Sequence, residues 1–196
     1  MKFKNKQCSN IPFIHYTFRD FFSDKELLDI ENINILNHST SLDGERASNN
    51  NRFFVDKDNM WSKSTLNRII DFFLSDDIIC MFEQESGKTI RGNYLRVELI
   101  EDKEKSWLKP HVDINEKIMS FILYLNNTNE SLDIGTSLYN NNKELVTTVP
   151  YINNTGFYFY PGNDTWHGLE SVNIHQRRRA VMVNYCTFKT EFKIPS

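Results

Sequence analysis

The sequence has few cysteines and no long uninterrupted run of apolar residues. Cys8, Cys80 and Cys186 are odd in number and far apart, which argues against a disulfide framework and against a cysteine-rich zinc site. No apolar stretch is long enough for a signal peptide or for a membrane-spanning helix. We therefore expect a protein of the reducing cytoplasm without a membrane partner.

Basic residues are not in excess either. The chain contains 23 lysines and arginines against 26 aspartates and glutamates, for a formal net charge of -3. This balance produces no overall attraction toward nucleic acid, and we expect no nucleic-acid partner. Glycine and proline are scarce, at 7 and 5 residues, whereas phenylalanine and tyrosine are frequent, at 15 and 8. Such a composition is typical of a packed, β-rich body and not of a disordered chain.

The length of 196 residues suits a single domain with a sizeable core. We predict that this one domain spans residues 1–196. Residues 1–92 are predicted to form mainly helical support with a lid loop. Residues 93–190 are predicted to form the core that carries the functional site.

Local signals place two helices and one loop in the first half of the chain. Ser23, with Glu26 three residues later, resembles a capping box and predicts a helix over 23–37. Residues 39–52 lack periodicity and predict a loop of the kind that often covers an active site. Apolar residues spaced by three and four predict a second helix over 61–82, which would back the sheet.

Beyond Asn93 the pattern changes to short strands separated by turn-rich segments. Six strands are predicted, at 94–100, 118–125, 136–139, 144–150, 156–160 and 178–188. Helices first and strands afterwards indicate an α+β fold that is mainly β. Short antiparallel strands at this spacing favour a double-stranded β-helix, or jelly-roll, core that is buttressed by the N-terminal helices.

A candidate metal site is formed by His111, Asp113 and His167. Residues two apart on an extended strand point to the same side, so His111 and Asp113 can hold one ion. Two imidazoles and one carboxylate on one face of a metal are the ligand set of non-haem Fe(II) sites that activate O2. Any one of these histidines alone would more often be an ordinary core or surface residue. The order and spacing of the three together favour the metal site.

At these residues the chain resembles the 2-oxoglutarate- and Fe(II)-dependent dioxygenases, and most closely their small, single-domain, prolyl-hydroxylase-like members. That family combines His-x-Asp or His-x-Glu with a distant His and a basic residue further on. The hydrophobic segment 122–126 is similar to the strand that follows the first ligand pair, and the glycine-led segment 135–139 is similar to the next strand. The resemblance covers residues 94–188 well and is less specific before them.

The resemblance implies Fe(II) held by His111, Asp113 and His167, with 2-oxoglutarate and O2 as co-reactants. It also implies that Arg178 forms a salt bridge with the far carboxylate of 2-oxoglutarate and that Tyr124 hydrogen-bonds to the same group. Tyr124 lies in a strongly apolar run, so its alternative role is that of a core residue with a satisfied hydroxyl.

Strand parity separates the three consecutive arginines Arg177, Arg178 and Arg179. Arg178 and Ala180 share one face of the predicted strand, whereas Arg177 and Arg179 share the other. In the family pattern, a basic residue is followed two positions later by a small one, as Arg178 is by Ala180. Arg178 is therefore the residue predicted to bind 2-oxoglutarate. A solvated strand end or a phosphate-binding patch is the alternative reading of this cluster. His175 is an alternative to His167 as the third metal ligand. It lies so close to Arg178 in sequence that the chain between them is too short to separate the metal from the cosubstrate anchor.

The substrate is less well specified by the sequence. Arg96 and Glu98 share one face of the first core strand and are candidates for substrate binding, with a solvated sheet face as the alternative. The resemblance implies hydroxylation of a C–H bond with release of succinate and CO2. Compact size and slight acidity favour a small molecule, a saccharide or a nucleotide-linked sugar.

Two other functions stay open. One is a peptidyl or protein hydroxylase of prolyl-hydroxylase type. The other, from a different class, is a cupin-like non-oxidative metal isomerase or a sugar-binding module, which would not need 2-oxoglutarate. The sequence leaves the oligomeric state open, and a dimer is compatible with it.

Overall fold

The computed structural model describes residues 1–33, 52–55, 65–104, 106–170 and 173–196. Over this part of the chain it contains three α-helices, a short 3-10 helix (Leu132–Ile134) and twelve strands. The helices are α1 (Asp24–Glu31), α2 (Thr65–Leu74) and α3 (Asp76–Ser86). The strands are β1 (Lys4–Ser9), β2 (His15–Arg19), β3 (Arg52–Phe54), β4 (Tyr94–Asp102), β5 (Leu108–His111), β6 (Lys117–Tyr124), β7 (Thr136–Tyr139), β8 (Leu145–Val149), β9 (Thr155–Phe159), β10 (His167–Leu169), β11 (Arg178–Cys186) and β12 (Phe192–Lys193).

Helix α1 begins at the capping box that the sequence predicts. The Ser23 hydroxyl accepts a hydrogen bond from the Glu26 backbone N–H, and the Glu26 carboxylate accepts one from the Ser23 backbone N–H at 2.8 Å. These bonds satisfy donors that the first helical turn would otherwise leave open. The helix ends at Glu31, and the rest of the predicted helix, from residue 34, lies outside the described residues. The predicted lid loop also lies outside them, apart from its last residue, Arg52, which begins β3.

The single helix predicted over 61–82 is divided into α2 and α3 at Ser75. Ser75 has extended backbone angles, φ -71° and ψ 141°, and its hydroxyl donates to the Phe72 carbonyl at 2.7 Å. A serine that bonds the preceding turn in this way competes with the regular helical pattern, which apolar periodicity does not reveal. Within the described ranges, no helix is long and apolar enough to cross a membrane.

The strands form two antiparallel sheets, which confirms the predicted α+β, jelly-roll-like fold. The larger sheet has the order β1-β2-β9-β6-β11-β4-β12, with β3 also paired to β4, and the smaller has the order β5-β10-β7-β8. All six predicted strands are present, with ends that differ by at most two residues. The prediction missed β1, β2, β3, β5, β10 and β12, which are mostly short or polar. As a result, residues 1–92 contribute strands as well as helices.

Two apolar layers lie on opposite faces of the larger sheet. On its outer face, Val181, Val183 and Tyr185 of β11 pack with residues of the helices. On its inner face, Ala180 and Met182 of the same strand pack with residues of the smaller sheet. This alternation is the two-residue period of a strand that is buried on both sides. The space between the two sheets is therefore lined by the even-numbered residues of β11.

A buried carboxylate fixes the turn that leads into β11. Glu130 accepts hydrogen bonds from three consecutive backbone N–H groups, those of His175 at 3.0 Å, Gln176, and Arg177 at 3.1 Å. Burial alone would raise the pKa of Glu130, but these donors outweigh it and place the pKa below the ordinary value. The ionised carboxylate thus stabilises the backbone immediately before Arg178.

We expect Glu130→Gln to lower the free energy of unfolding at pH 7 by about 1.5–3 kcal/mol, the usual worth of hydrogen bonds to a charged group. Because the folded-state pKa is depressed, the stabilisation is present above the unfolded pKa of about 4.3 and is lost as the pH falls through the folded pKa. Urea unfolding of wild type and variant at neutral and acidic pH measures this. The exposed Glu144→Gln is the matched control. If the difference in unfolding free energy between wild type and Glu130→Gln did not decrease at acidic pH, the stabilising role of the ionised Glu130 would be contradicted.

Candidate metal centre and cosubstrate pocket

The two histidines of the candidate metal site lie directly opposite each other on neighbouring strands. His111 ends β5, His167 begins β10, and the two are Cα partners in the antiparallel pairing of these strands. Their ring centroids are 4.3 Å apart. A side chain on Gly168 would place its Cβ 2.6 Å from the Leu108 carbonyl oxygen, so glycine here permits the close approach of β10 to β5. Asp113 follows β5, and the potential ligand atoms of the three residues all lie within 4.8 Å of one another.

Backbone carbonyls orient both imidazoles. Nδ1 of His111 lies 3.0 Å from the Lys109 carbonyl oxygen, and Nδ1 of His167 lies 2.9 Å from the Thr165 carbonyl oxygen. A carbonyl can only accept, so each Nδ1 carries the proton and each Nε2 presents its lone pair. This is the usual outer-shell arrangement of metal-binding histidines.

The donor set fits a non-haem Fe(II) ion. Two neutral imidazole nitrogens and one carboxylate oxygen are the ligands of the 2-His-1-carboxylate triad. Nε2 of His167 lies 3.9 Å from Oδ2 of Asp113, and both residues are buried. The Phe159 ring meets the His167 ring edge-on at 4.9 Å and fills one side of the site. All three predicted ligands are thus brought to one place.

Arg178 and Tyr124 are also brought together, between the two sheets. Arg178 is the first residue of β11 and is buried. Its guanidinium donates to the Ile134 carbonyl at 2.6 Å and lies 3.5 Å from the Thr136 hydroxyl. The Tyr124 hydroxyl donates to the Thr136 hydroxyl at 2.8 Å and accepts from the Thr136 N–H at 3.0 Å. Burial raises the pKa of Tyr124, with Arg178 partly offsetting it, so the phenol stays neutral and can donate.

Asp102 is a pocket residue that sequence reasoning missed. It is the register partner of Arg178 in the β4–β11 pairing, and its Oδ2 accepts from Nη1 of Arg178 at 2.7 Å. The carboxylate therefore holds one edge of the guanidinium and offsets part of its charge. The strand predicted from the sequence ends at residue 100, before Asp102. A single sequence also does not reveal which residues of two paired strands lie opposite each other. No local signal could have found this pair.

The other two arginines have different surroundings from Arg178. Arg179 faces the outer layer, where its guanidinium pairs with Glu101 at 2.8 Å and donates to the Glu31 and Ile33 carbonyls at 2.6 and 2.8 Å. Arg177 is partly exposed, and its Nη1 lies 3.8 Å from Glu101. The three guanidinium groups consequently do not form one phosphate-binding patch.

Arg96 and Glu98 lie on the inner face of β4. Nε of Arg96 is 2.7 Å from Oε1 of Glu98, which is only 1% exposed. Nη2 of Arg96 donates to Oδ1 of Asn184 at 3.1 Å, and the guanidinium lies 5.1 Å from the centre of the Phe188 ring. The alternative of a solvated sheet face does not hold for Glu98. Glu98 lies in the interior and Arg96 is partly exposed. Both lie at the end of the sheet that also carries Ser120, to which Asn184 donates at 3.4 Å.

Solved structures give the comparison for this fold. No family model matches the sequence, and no curated protein matches it. A prolyl 4-hydroxylase structure from Phytophthora capsici aligns with a TM-score of 0.61 and 12% identity over 91% of this chain and 60% of that chain. A prolyl hydroxylase from Trichoplax adhaerens, solved with a peptide fragment of the hypoxia inducible factor oxygen degradation domain, aligns at 0.58 and 15% over 88% and 83%.

A third structure matches over almost its whole length. It is a truncated form of the viral collagen prolyl hydroxylase of Paramecium Bursaria Chlorella virus-1, with a TM-score of 0.53 and 10% identity over 94% of this chain and 97% of that chain. The chain has the prolyl-hydroxylase fold. The resemblance drawn from the sequence motifs is confirmed at this level. The His-Asp-His cluster that the sequence predicts lies within this fold.

In this prolyl-hydroxylase fold, each half of the site joins one sheet to the other. Asp113, after β5 of the smaller sheet, accepts from Ser120 of β6 in the larger sheet at 2.6 Å. Arg178 of the larger sheet reaches Thr136 of β7 in the smaller sheet. Both halves therefore face the space between the two sheets.

Proposed function

We propose that this protein is an Fe(II)- and 2-oxoglutarate-dependent dioxygenase that hydroxylates a C–H bond. The observation that carries the proposal is the combination, between the same two sheets, of a His-Asp-His cluster with a buried arginine, Arg178, whose Thr136 neighbour is also bonded to Tyr124. A non-oxidative metal isomerase or a sugar-binding module would account for the metal ligands alone. It would not require a buried arginine between the same two sheets.

The residues of the chain would divide the work as follows. His111, Asp113 and His167 would hold Fe(II), which with 2-oxoglutarate and O2 supplies the oxidising chemistry and releases succinate and CO2. Arg178 would bind the far carboxylate of the cosubstrate through charge-assisted hydrogen bonds. The neutral hydroxyls of Tyr124 and Thr136 would complete that end of the pocket.

The apolar residues between the two ends have a separate role. Ile122, Met182 and Phe159 are buried in the layer between the sheets. They would exclude water from the space that the cosubstrate spans, which strengthens the electrostatic contacts there and limits side reactions.

For the substrate, we favour a peptide or protein. The neighbours described above are prolyl hydroxylases, and one of them was solved with a bound peptide. Compact size, which favours a small molecule in the sequence analysis, does not discriminate, because the peptide-bound prolyl hydroxylase aligns over 83% of its chain. The alternative is a small molecule or a saccharide, and the succinate-release assay described next tests both classes of substrate.

The first experiment is an anaerobic titration of the apo protein with Fe(II) and 2-oxoglutarate. We expect the weak visible charge-transfer band of a metal-chelated keto acid, and we expect His111→Ala to lose it. Its absence from folded, metal-loaded protein would contradict the proposal and favour the isomerase or binding module. Succinate release would then be compared between proline-containing peptides and a panel of small molecules and sugars. Stimulation by the second panel alone would overturn the peptide assignment.

A further inference from the structure

Both oxygens of the Asp113 carboxylate accept hydrogen bonds from buried donors. Oδ1 accepts from Nζ of Lys117 at 2.6 Å, and Oδ2 accepts from the Ser120 hydroxyl at 2.6 Å. Lys117 is 3% exposed and Ser120 is 2% exposed. Both donors lie on β6, in the sheet opposite to the histidines. From this geometry, and on the basis of the proposed function, we propose that Lys117 and Ser120 are positioning residues that fix Asp113 as a one-oxygen metal ligand.

A bulge in β6 is what lets both side chains reach the same carboxylate. Residues three apart on a regular strand point to opposite faces. The pairing of β6 with β11 shifts register at this point, with Met119 opposite Tyr185 but Lys117 opposite the next residue, Cys186. A bulge turns a side chain away from its regular direction, and bulges are over-represented beside active sites. Here it turns Lys117 toward Asp113.

Placing an ammonium group at this position is costly. A buried lysine loses its hydration and is tolerated only when it is paired. Such a pair is weak support for stability, since apolar residues of similar volume often serve equally well. The presence of Lys117 is better explained by what it does to Asp113 than by any gain in folding free energy.

The hydrogen bonds from Lys117 and Ser120 limit how Asp113 can bind a metal. A carboxylate that chelates through both oxygens must turn both of them toward the ion, but Oδ1 is turned toward Lys117. Oδ2 is the oxygen near Nε2 of His167, at 3.9 Å. Ligation through Oδ2 alone takes one coordination position and leaves others open, as a triad that also accepts a cosubstrate and O2 requires.

Ser120 is itself held in place by a chain of polar side chains. Asn184 donates to the Ser120 hydroxyl at 3.4 Å, and its own Oδ1 accepts from Arg96 at 3.1 Å. Arg96 is in turn 2.7 Å from Glu98. Through this network, Arg96 and Glu98 support the residues that hold Asp113. They are also candidates for substrate binding.

The test is the affinity of the apo protein for Co(II), measured anaerobically by visible absorption without 2-oxoglutarate. Loss of an outer-shell partner commonly costs 10–100-fold in metal affinity. We expect Lys117→Met to weaken Co(II) binding by about 10–100-fold and to change the ligand-field spectrum as Asp113 becomes free to turn. Lys117→Arg should restore most of the affinity. Ser120→Ala should weaken binding in the same direction, and Ser120→Thr should restore it.

Lys88 provides the matched control. It lines the same 230 Å³ cavity as Lys117, but it is exposed and donates to the Pro161 carbonyl at 3.0 Å. Lys88→Met should leave the Co(II) affinity and spectrum unchanged. Thermal unfolding of each apo variant shows whether it is folded, and Ser120→Ala serves as the test if Lys117→Met is not.

Each outcome has a distinct meaning. Wild-type affinity and spectrum in folded Lys117→Met and Ser120→Ala would overturn the positioning role. Tighter binding in Lys117→Met would also overturn it, because the lysine would then act through charge repulsion of the ion. If the wild-type protein itself binds no Co(II), the proposed function fails, and that result is distinguishable from the other two.

Discussion

Asp113→Ala is expected to abolish turnover and to remove measurable Fe(II) binding. Asp113 is the anionic member of the cluster, and a loss of affinity larger than the roughly 10–100-fold typical of outer-shell changes is expected when a ligand itself is deleted. The same substitution removes the carboxylate that compensates the buried Lys117 ammonium, which typically costs about 3–5 kcal/mol of folding stability. Metal content, succinate release and thermal unfolding would be measured together.

Two controls separate loss of the ligand from loss of the fold. Asp113→Asn removes the charge but keeps the shape of the side chain and one oxygen that can accept a hydrogen bond from Lys117 or Ser120, so it should lose less stability than Asp113→Ala and still lose turnover. Asp164→Ala removes an exposed aspartate from the loop before His167 and should keep both metal and activity. Near-normal activity in folded Asp113→Ala or Asp113→Asn would refute the triad.

Arg178→Ala is expected to raise the 2-oxoglutarate concentration required for half-maximal turnover by about 30-fold or more. Truncating one partner of a buried, hydrogen-bonded charge pair costs about 2–5 kcal/mol, and each 1.4 kcal/mol is a factor of about ten in affinity. The variant should retain metal, because Arg178 belongs to the pocket and not to the ligand cluster. Succinate release as a function of cosubstrate concentration measures the effect.

The neighbouring arginines are matched controls for this prediction. Arg177→Ala removes a partly exposed guanidinium and should change the cosubstrate requirement less than about twofold, in keeping with small effects of exposed charges. Arg179→Ala should instead lower thermal stability, because Arg179 ties β11 to Glu101 and to the end of α1. A larger cosubstrate effect from Arg177→Ala than from Arg178→Ala would refute the assignment of the pocket.

Much of the site could be predicted from the sequence because its residues match the order and spacing of a family motif, and some of them follow short-range rules. His111 and Asp113 are two apart, and Arg178 is separated from Arg179 by strand parity. The alternation of β11 between the two apolar layers follows the same rule. The capping box of α1 is likewise a local signal.

The rest depends on cross-strand pairing or on irregular backbone. Asp102 meets Arg178 only through the register of β4 and β11. Lys117 reaches Asp113 only because β6 is bulged, and strict parity would have placed Lys117 and Ser120 on opposite faces. Strand β1, with the sequence KNKQCS, is exposed and lacks apolar alternation, so its place at the edge of the larger sheet depends on its pairing with β2.

Strand β6 carries a final consequence. Tyr124 stands at one end of its inner face and Ser120 at the other, four residues apart, which is about 13 Å along a strand. The strand lies in the interior of the sheet between β9 and β11, so this separation cannot stretch or shrink to suit a ligand. The backbone of β6 thus fixes the distance between the end of the site that holds Asp113 and the end that holds Arg178.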